Sequence, residues 1–179
     1  MSKSQNYIPE IINNFHLYKG TGDSGDMYLG LTGEVTLPDL EAMKETVSGS
    51  GLLGEVDVAN PGHYSEIEME IPFVGLCDDM MQLSPNEYNV LTMRAAQQST
   101  VKVDHSKQIS GMKVVIGGTV KKYKLGTVKI GGQMGSSVTL SVTYIKITVD
   151  DKTYLELDKY NEVFVFDGND MLAKIKSKC

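Results

Sequence analysis

The feature that most constrains the fold is residues 136–149, SSVTLSVTYIKITV, which read as a single strand. At roughly 3.3 Å per residue, fourteen extended residues span roughly 45 Å. This is more than twice the usual strand of about 5 to 6 residues. A strand of this length extends beyond a small β-sandwich, so we expect it to serve two surfaces.

The apolar pattern of this strand changes phase near Tyr144. Before it, polar side chains alternate with apolar ones, and after it the apolar positions shift by one. The polar set is Ser137, Thr139, Ser141 and Thr143, and the apolar set is Val138, Leu140 and Val142, followed by Ile145, Ile147 and Val149. Because a one-residue slip exchanges the two faces, the pattern predicts either a bulge or a crossing between two sheets.

Length and composition indicate one soluble globular domain, residues 1–179. The chain is 41% hydrophobic and contains no apolar run long enough to cross a bilayer. Its start lacks the apolar core of a secretory signal, so we expect the protein to begin in the cytoplasm of the cell that makes it. Only Cys77 and Cys179 are present, which argues against a disulfide framework.

The net charge of -6 argues against a protein that reads nucleic-acid sequence, because phosphate contacts require a basic surface. It is compatible with a surface along which nucleic acid slides without being retained.

The first half of the chain predicts two strands and a long loop. Residues 15–20 and 28–37 read as a strand pair around the glycine-rich turn 20–25, and residues 38–54 as the loop. The loop carries five apolar residues: Leu40, Met43, Val47, Leu52 and Leu53. Either they fold back on the parent core or a neighbouring copy covers them, since long loops and exposed apolar patches are commonly association sites.

Residues 64–71 alternate strictly and predict a half-buried strand. Glu66, Glu68 and Glu70 form one face, and Ile67, Met69 and Ile71 form the other. We expect Pro72 to end this strand and a short helix to follow through Phe73, Leu76, Cys77, Met80 and Met81. Further strands are predicted at 87–103 and 111–130. A terminal helix is predicted from near Asp167, with Met171, Leu172 and Ile175 facing inward.

No motif predicts catalysis, a metal or a cofactor. Residues 20–25, GTGDSG, match the dinucleotide fingerprint, but the residues that follow are strand-like, so no helix N-terminus would face a pyrophosphate. The histidines, His16, His63 and His105, are isolated, and two cysteines cannot build a sulfur-rich zinc site. Cys77 lies on an apolar helix face, where a thiol behaves as a small hydrophobe. We therefore expect a protein that is not an enzyme.

Three sequence blocks, in this order and spacing, resemble a known family. They are NNFHLYKG at 13–20, VTLPDL at 35–40 with the Gly-rich run after it, and the C-terminal block of VTYIKITV, YLELD and GNDML between residues 142 and 172. Together they resemble the major tail tube proteins of contractile-tailed bacteriophages, which are also used in R-type bacteriocins.

The resemblance implies an antiparallel β-sandwich or barrel with one short helix packed on it and a short C-terminal helix. Its strands would join an inter-subunit barrel in a hexameric ring. Stacked rings would form the hollow tube that conducts DNA, and the loop at 38–54 would bridge subunits and rings. The implied partners are a contractile sheath protein, a baseplate and a tape-measure protein, within a virion assembled in the host cytoplasm.

Two questions keep alternatives at this point. We favour the face of Glu66, Glu68 and Glu70 as the lining of the bore, and the Ser/Thr face of residues 137–143 is the alternative. The leading hypothesis for the machine is a DNA-carrying phage, and the alternatives are a genome-free injection device such as a bacteriocin or a type VI secretion ring. A monomeric β-rich binding module is the alternative from another class, although the absence of Trp argues against a sugar platform.

Overall fold

A computed structural model describes residues 6–21 and 27–179. Gly22 to Gly25 of the predicted glycine-rich turn lie outside these residues. The described part of the chain contains ten strands and two short helices: β1 Tyr7–Lys19, β2 Ala42–Val47, β3 Val56–Tyr64, β4 Ile67–Phe73, α1 Asp78–Met81, β5 Asn89–Val101, β6 Lys107–Lys124, β7 Ser136–Val149, β8 Lys152–Asp158, β9 Val163–Phe166, β10 Asn169–Asp170 and α2 Ala173–Lys176. The prediction of a mainly antiparallel β fold is confirmed.

Two sheets organise these strands. The larger has the order β1-β5-β6-β7-β8-β9-β10, with β4 also paired to β7, and the smaller is the β2–β3 hairpin. The first half of β7 pairs with β4 and the second half with β8, while β6 runs along its other edge. The prediction of one long strand is therefore confirmed, and this strand has two successive partners along one edge within a single sheet.

A bulge lies where the partner of β7 changes. Gly117 pairs with Tyr144 and Gly118 with Val142, which leaves Thr143 as the extra residue. This bulge accounts for the phase change, since Val142 and Ile145 are both buried on the core side.

The core lies on one side of the large sheet. It is built from strand side chains and closed by Tyr28, by Met80 of α1 and by Leu83. The twelve large side chains that are almost completely buried are Leu17, Ile67, Met69, Ile71, Phe73, Met80, Leu83, Leu91, Ile116, Leu140, Ile145 and Leu157. Strict alternation along β4 predicted three of them, because Ile67, Met69 and Ile71 point inward while Glu68 and Glu70 stay exposed.

The prediction of a strand at residues 28–37 is wrong. In that segment Leu31 makes one isolated bridge to Phe73, and Leu31, Val35 and Leu37 pack against the core without forming a ladder. The strand predicted at 15–20 begins earlier, at Tyr7.

Two boundaries around β4 also differ from expectation. The strand continues through Pro72 to Phe73, because β4 lies at a sheet edge, where proline is tolerated. Helix α1 then begins only at Asp78, and of the residues predicted on its apolar side Met80 is buried whereas Leu76 and Met81 are about half exposed.

The C-terminal prediction is partly wrong. Residues 169–170 form β10 against β9, and α2 follows as a single turn. Leu172 packs against the core, but Met171 and Ile175 are 49% and 44% exposed.

Candidate assembly surfaces

A polar surface covers the side of the sheet opposite the core. Glu68 and Glu70 of β4 pair with Ser141 and Thr139 of β7. Directly paired residues share a sheet face, so the two alternatives that the sequence offers for a bore are one surface. We call it the polar face, and it consists of Glu66, Glu68, Glu70, Thr119, Lys121, Lys122, Lys124, Ser137, Thr139 and Ser141.

A second bulge places a lysine across this face. Val120 pairs with Leu140 and Lys122 with Thr139, so Lys121 is the extra residue. Its ammonium group donates to Glu66 Oε1 at 2.8 Å and also to Glu68. The hydrogen bonds from Lys121 to Glu66 and then to Glu68 raise the pKa of Lys121. The glutamate row is therefore partly neutralised, and nothing in the sequence predicted this contact.

The remaining glutamate of the row is also bound. The Ser137 hydroxyl donates to Glu70 Oε1, and Ser137 is only 4% exposed. The polar face thus contains three carboxylates and three lysines, and Glu34 and Asp39 line the same cavity as Glu68, Glu70, Lys121 and Lys122.

The β2–β3 hairpin is amphipathic and has no covering layer. Lys44 donates to Asp57 at 2.9 Å and Thr46 donates to the same carboxylate at 2.8 Å, on one side of the hairpin. These two hydrogen bonds lower the pKa of Asp57, and the bond from Lys44 has the larger effect. The register places Val47, Val56 and Val58 on the other side together with Glu45, which pairs with Val58, and alternation along β2 adds Met43. The four apolar residues of this side are Met43, Val47, Val56 and Val58. All four are 43–53% exposed, and we call this surface the apolar hairpin face.

The hairpin is anchored at its base and free at its tip. Tyr64 packs edge-on against Phe164 with ring centroids 5.4 Å apart, and the Ser65 amide donates to the Glu41 carbonyl at 2.9 Å. At the other end Leu52 is 44% exposed and Leu53 fully exposed. An isolated two-stranded hairpin is marginally stable in water, so burial against another surface would stabilise this one.

The five predicted loop residues thus divide into two groups. Leu40 packs against the core of its own chain. Met43, Val47, Leu52 and Leu53 are exposed. The sequence analysis missed Val56 and Val58, although their alternation with Asp57 is a strand signal.

Strand β1 provides an open edge. It pairs with β5 on one side, and on the other side its one β-bridge among the described residues joins Tyr18 to Met27. Three isoleucines along it, Ile8, Ile11 and Ile12, are about half exposed. A long edge strand with apolar side chains is a template for pairing with another chain.

Among residues 6–21 and 27–179, no three His, Cys, Asp or Glu side chains are grouped to hold a metal ion. Cys77 is half-buried, with its sulfur 4.0 Å from the Leu29 carbonyl. In the same ranges no helix is long and apolar enough to cross a membrane.

The apolar hairpin face, the hairpin tip and the open edge of β1 are all uncovered, and surfaces of this kind mark association sites. They are typical of structural subunits that associate with other chains. The family model described as phage tail tube protein FII matches residues 9–178. The chain belongs to this family.

Two relatives are similar over most of their length. The tail tube protein of Escherichia phage P2 is 26% identical over 151 residues, covering 84% of this chain and 88% of the relative. The major tail tube protein of Serratia phage KSP20 is 24% identical over 164 residues, covering 92% of this chain and 91% of the relative. The resemblance to tail tube proteins of contractile-tailed phages is confirmed. The protein is a structural tail tube component of the virion, and its family is not an enzyme family.

Proposed function

We propose that the chain forms hexameric rings that stack into the hollow inner tube of a contractile tail, through which DNA passes into the host. The observation that carries this proposal is the β2–β3 hairpin, whose apolar face and tip are exposed. A segment of about twenty residues that buries little surface in its own chain is stabilised by burial against another copy.

Ring closure is supported by the open edge of β1. Pairing between strands of adjacent copies would satisfy the free backbone groups of this edge and cover Ile8, Ile11 and Ile12. The whole chain acts as one tube domain, with residues 38–54 as the inter-subunit segment.

The polar face is our candidate for the wall of the bore. Its serine and threonine hydroxyls suit a hydrated surface, and Lys121 is already bound by Glu66 and Glu68. DNA phosphates would therefore meet lysines whose charge neighbouring carboxylates compensate, which favours passage without retention.

The partners follow from this role. A contractile sheath would surround the tube, a baseplate would close its end, and a tape-measure protein would set its length. Assembly would take place in the cytoplasm of the bacterial host.

Negative-stain microscopy and sedimentation of the purified protein test the proposal. Wild type should form rings with six copies and hollow rods. The variant Leu52→Ser/Leu53→Ser should remain folded, with an unchanged urea midpoint, but build no long rods. Val103→Ser changes an 82% exposed valine in the turn after β5 and is the matched control, which should assemble as wild type does. Monodisperse single chains of the wild type at all concentrations would refute the proposal.

A further inference from the structure

A second exposed apolar tip lies at the loop between β6 and β7. In this loop, residues 125–135, Val128 is 89% and Ile130 fully exposed. Its stem is well defined, because the Thr127 amide donates to the Met134 carbonyl at 2.8 Å. A side chain at Gly126 would approach that carbonyl oxygen to 2.4 Å, so this stem requires glycine. The stem therefore holds two bare aliphatic side chains out from the body.

The loop and the hairpin lie at opposite ends of β4. The amides of Met134 and Gly135 both donate to the Val74 carbonyl, immediately after β4 ends. The hairpin base is tied by the Ser65 amide, just before β4 begins. The seven residues of β4 separate the two points of attachment, the loop stem and the hairpin base, by roughly 23 Å. Two complementary surfaces at opposite ends of one subunit form a head-to-tail contact, which propagates.

The charges of the two sites are opposite. Residues 42–64 contain three carboxylates and one lysine, which is paired with Asp57. The loop, residues 125–135, contains Lys129 and no carboxylate. Within the described residues, Lys129 takes part in no salt bridge, and neither do Glu45 and Glu55. Opposite charge favours encounter between these surfaces and disfavours contact of either surface with itself.

We propose that the β2–β3 hairpin of one copy docks on the β6–β7 loop of the next copy, with Leu52, Leu53 and the apolar hairpin face covering Val128 and Ile130. The proposal rests on the tube function proposed above and names the acceptor of the hairpin. It makes the direction of stacking run along β4.

Complementary variants test this contact. Variant H, Leu52→Ser/Leu53→Ser, lacks the hairpin tip, and variant L, Val128→Ser/Ile130→Ser, lacks the loop tip. Each variant alone should stop at the size of its starting unit, a single chain or a single ring. An equimolar mixture should give complexes of twice that size and no larger, because only the intact hairpin of L fits the intact loop of H.

Urea unfolding of both variants checks that they fold, and Val103→Ser should stack as wild type does. If L builds rods like wild type, or if the mixture stays at the size of its components, the docking proposal is refuted. Those results leave the tube function intact as long as wild type forms rods. Absence of rods and rings in wild type would instead refute the tube function itself.

The charge component has a separate measurement. The rate of rod growth in wild type should fall as ionic strength rises, since the attraction is screened. The variant Lys129→Gln should grow more slowly at low salt and show a weaker salt dependence than wild type. A Lys129→Gln variant with the salt dependence of wild type would show that this lysine does not face the hairpin.

Discussion

At the scale of single residues, two glycines shape the centre of the sheet. Gly117 and Gly118 lie opposite the bulge at Thr143, where strand β7 exchanges β4 for β8. A side chain at Gly118 would come within 2.2 Å of the Ser141 carbonyl oxygen, which is backbone and cannot rotate away. The bulge therefore depends on the absence of a side chain at this position.

The variant Gly118→Ala should be destabilised by about 1–3 kcal/mol, because the two strands must separate to admit the methyl group. Gly111→Ala in the same strand is the control, since its added methyl group would meet nothing within 4 Å. Its free energy of unfolding should change by less than about 0.5 kcal/mol. Urea unfolding monitored by circular dichroism measures both, and equal stability of the two variants would contradict this account of the bulge.

Another residue-scale prediction concerns pH. Glu10 of β1 accepts hydrogen bonds from Lys107, Thr100 and Gln98, in that order of influence, and they lower its pKa from 4.5 to about 2. A lowered pKa in the folded state means that this contact stabilises β1 above pH 4.5 and is lost as the pH falls towards 2. In an NMR titration, Lys107→Met should raise the pKa of Glu10 towards 4.5. A pKa unchanged by this substitution would show that Lys107 is not its main partner.

At the scale of secondary-structure elements, the hairpin is held to the body by few contacts. Tyr64 packs on Phe164, and Leu172 lies against Gly62, where a side chain would approach it to 2.7 Å. Most of β2 and β3 beyond this base is exposed. The orientation of the hairpin therefore depends on the packing at its base.

The variant Tyr64→Ala should loosen the hairpin while leaving the large sheet intact. We expect faster amide hydrogen exchange in β2 and β3 and unchanged exchange in β6 and β7. The free energy of unfolding should fall by about 1–3 kcal/mol. Tyr64→Phe keeps the ring and serves as the control. Equal exchange rates in Tyr64→Ala and wild type would show that the aromatic contact does not position the hairpin.

Elements with one buried face were predictable from the sequence, and the others were not. The alternation of β4 and the phase change of β7 both follow from burial on one side, and both predictions are confirmed. The hairpin strands bury neither face within the chain, so β2 leaves no burial pattern to read. Residues 28–37 show the opposite error, a strand predicted where none forms. Leu31, Val35 and Leu37 pack against the core, which explains their apolar character, but they form no ladder.

The assembly surfaces were predictable only in part, for a related reason. The two candidate faces for the bore lie on one surface. The sequence did not predict this, because it depends on which strands pair and in which register, and a single strand does not encode its partner. The contact of Lys121 with Glu66 and Glu68 depends on a bulge, and bulges of this kind have no sequence signature here.

At the scale of the whole molecule, charge is distributed unevenly. The chain carries a net charge of -6, whereas Lys121, Lys122 and Lys124 offset the three glutamates of the polar face. Glu34 and Asp39 lie beside this face and add negative charge. If this face lines a bore, its balance determines how strongly DNA is retained.

The variant Glu66→Gln/Glu68→Gln releases Lys121 and makes the polar face more positive by two charges. Assembled tubes of this variant should retain short DNA at low salt, with retention decreasing as salt is added. Asp167→Asn, which removes the partner of Lys152 away from this face, is the control and should retain no more DNA than wild type. Co-sedimentation of labelled DNA with the tubes measures the difference, and equal retention by both variants would argue that another surface lines the bore.

The most direct test of the central claim is a cryo-electron microscopy reconstruction of assemblies grown from the purified chain. We predict hollow tubes of stacked six-copy rings, with the polar face towards the bore and the β2–β3 hairpin covered by a neighbouring copy. A reconstruction in which the hairpin stays exposed to solvent, or in which the polar face is buried away from a central channel, would contradict the account.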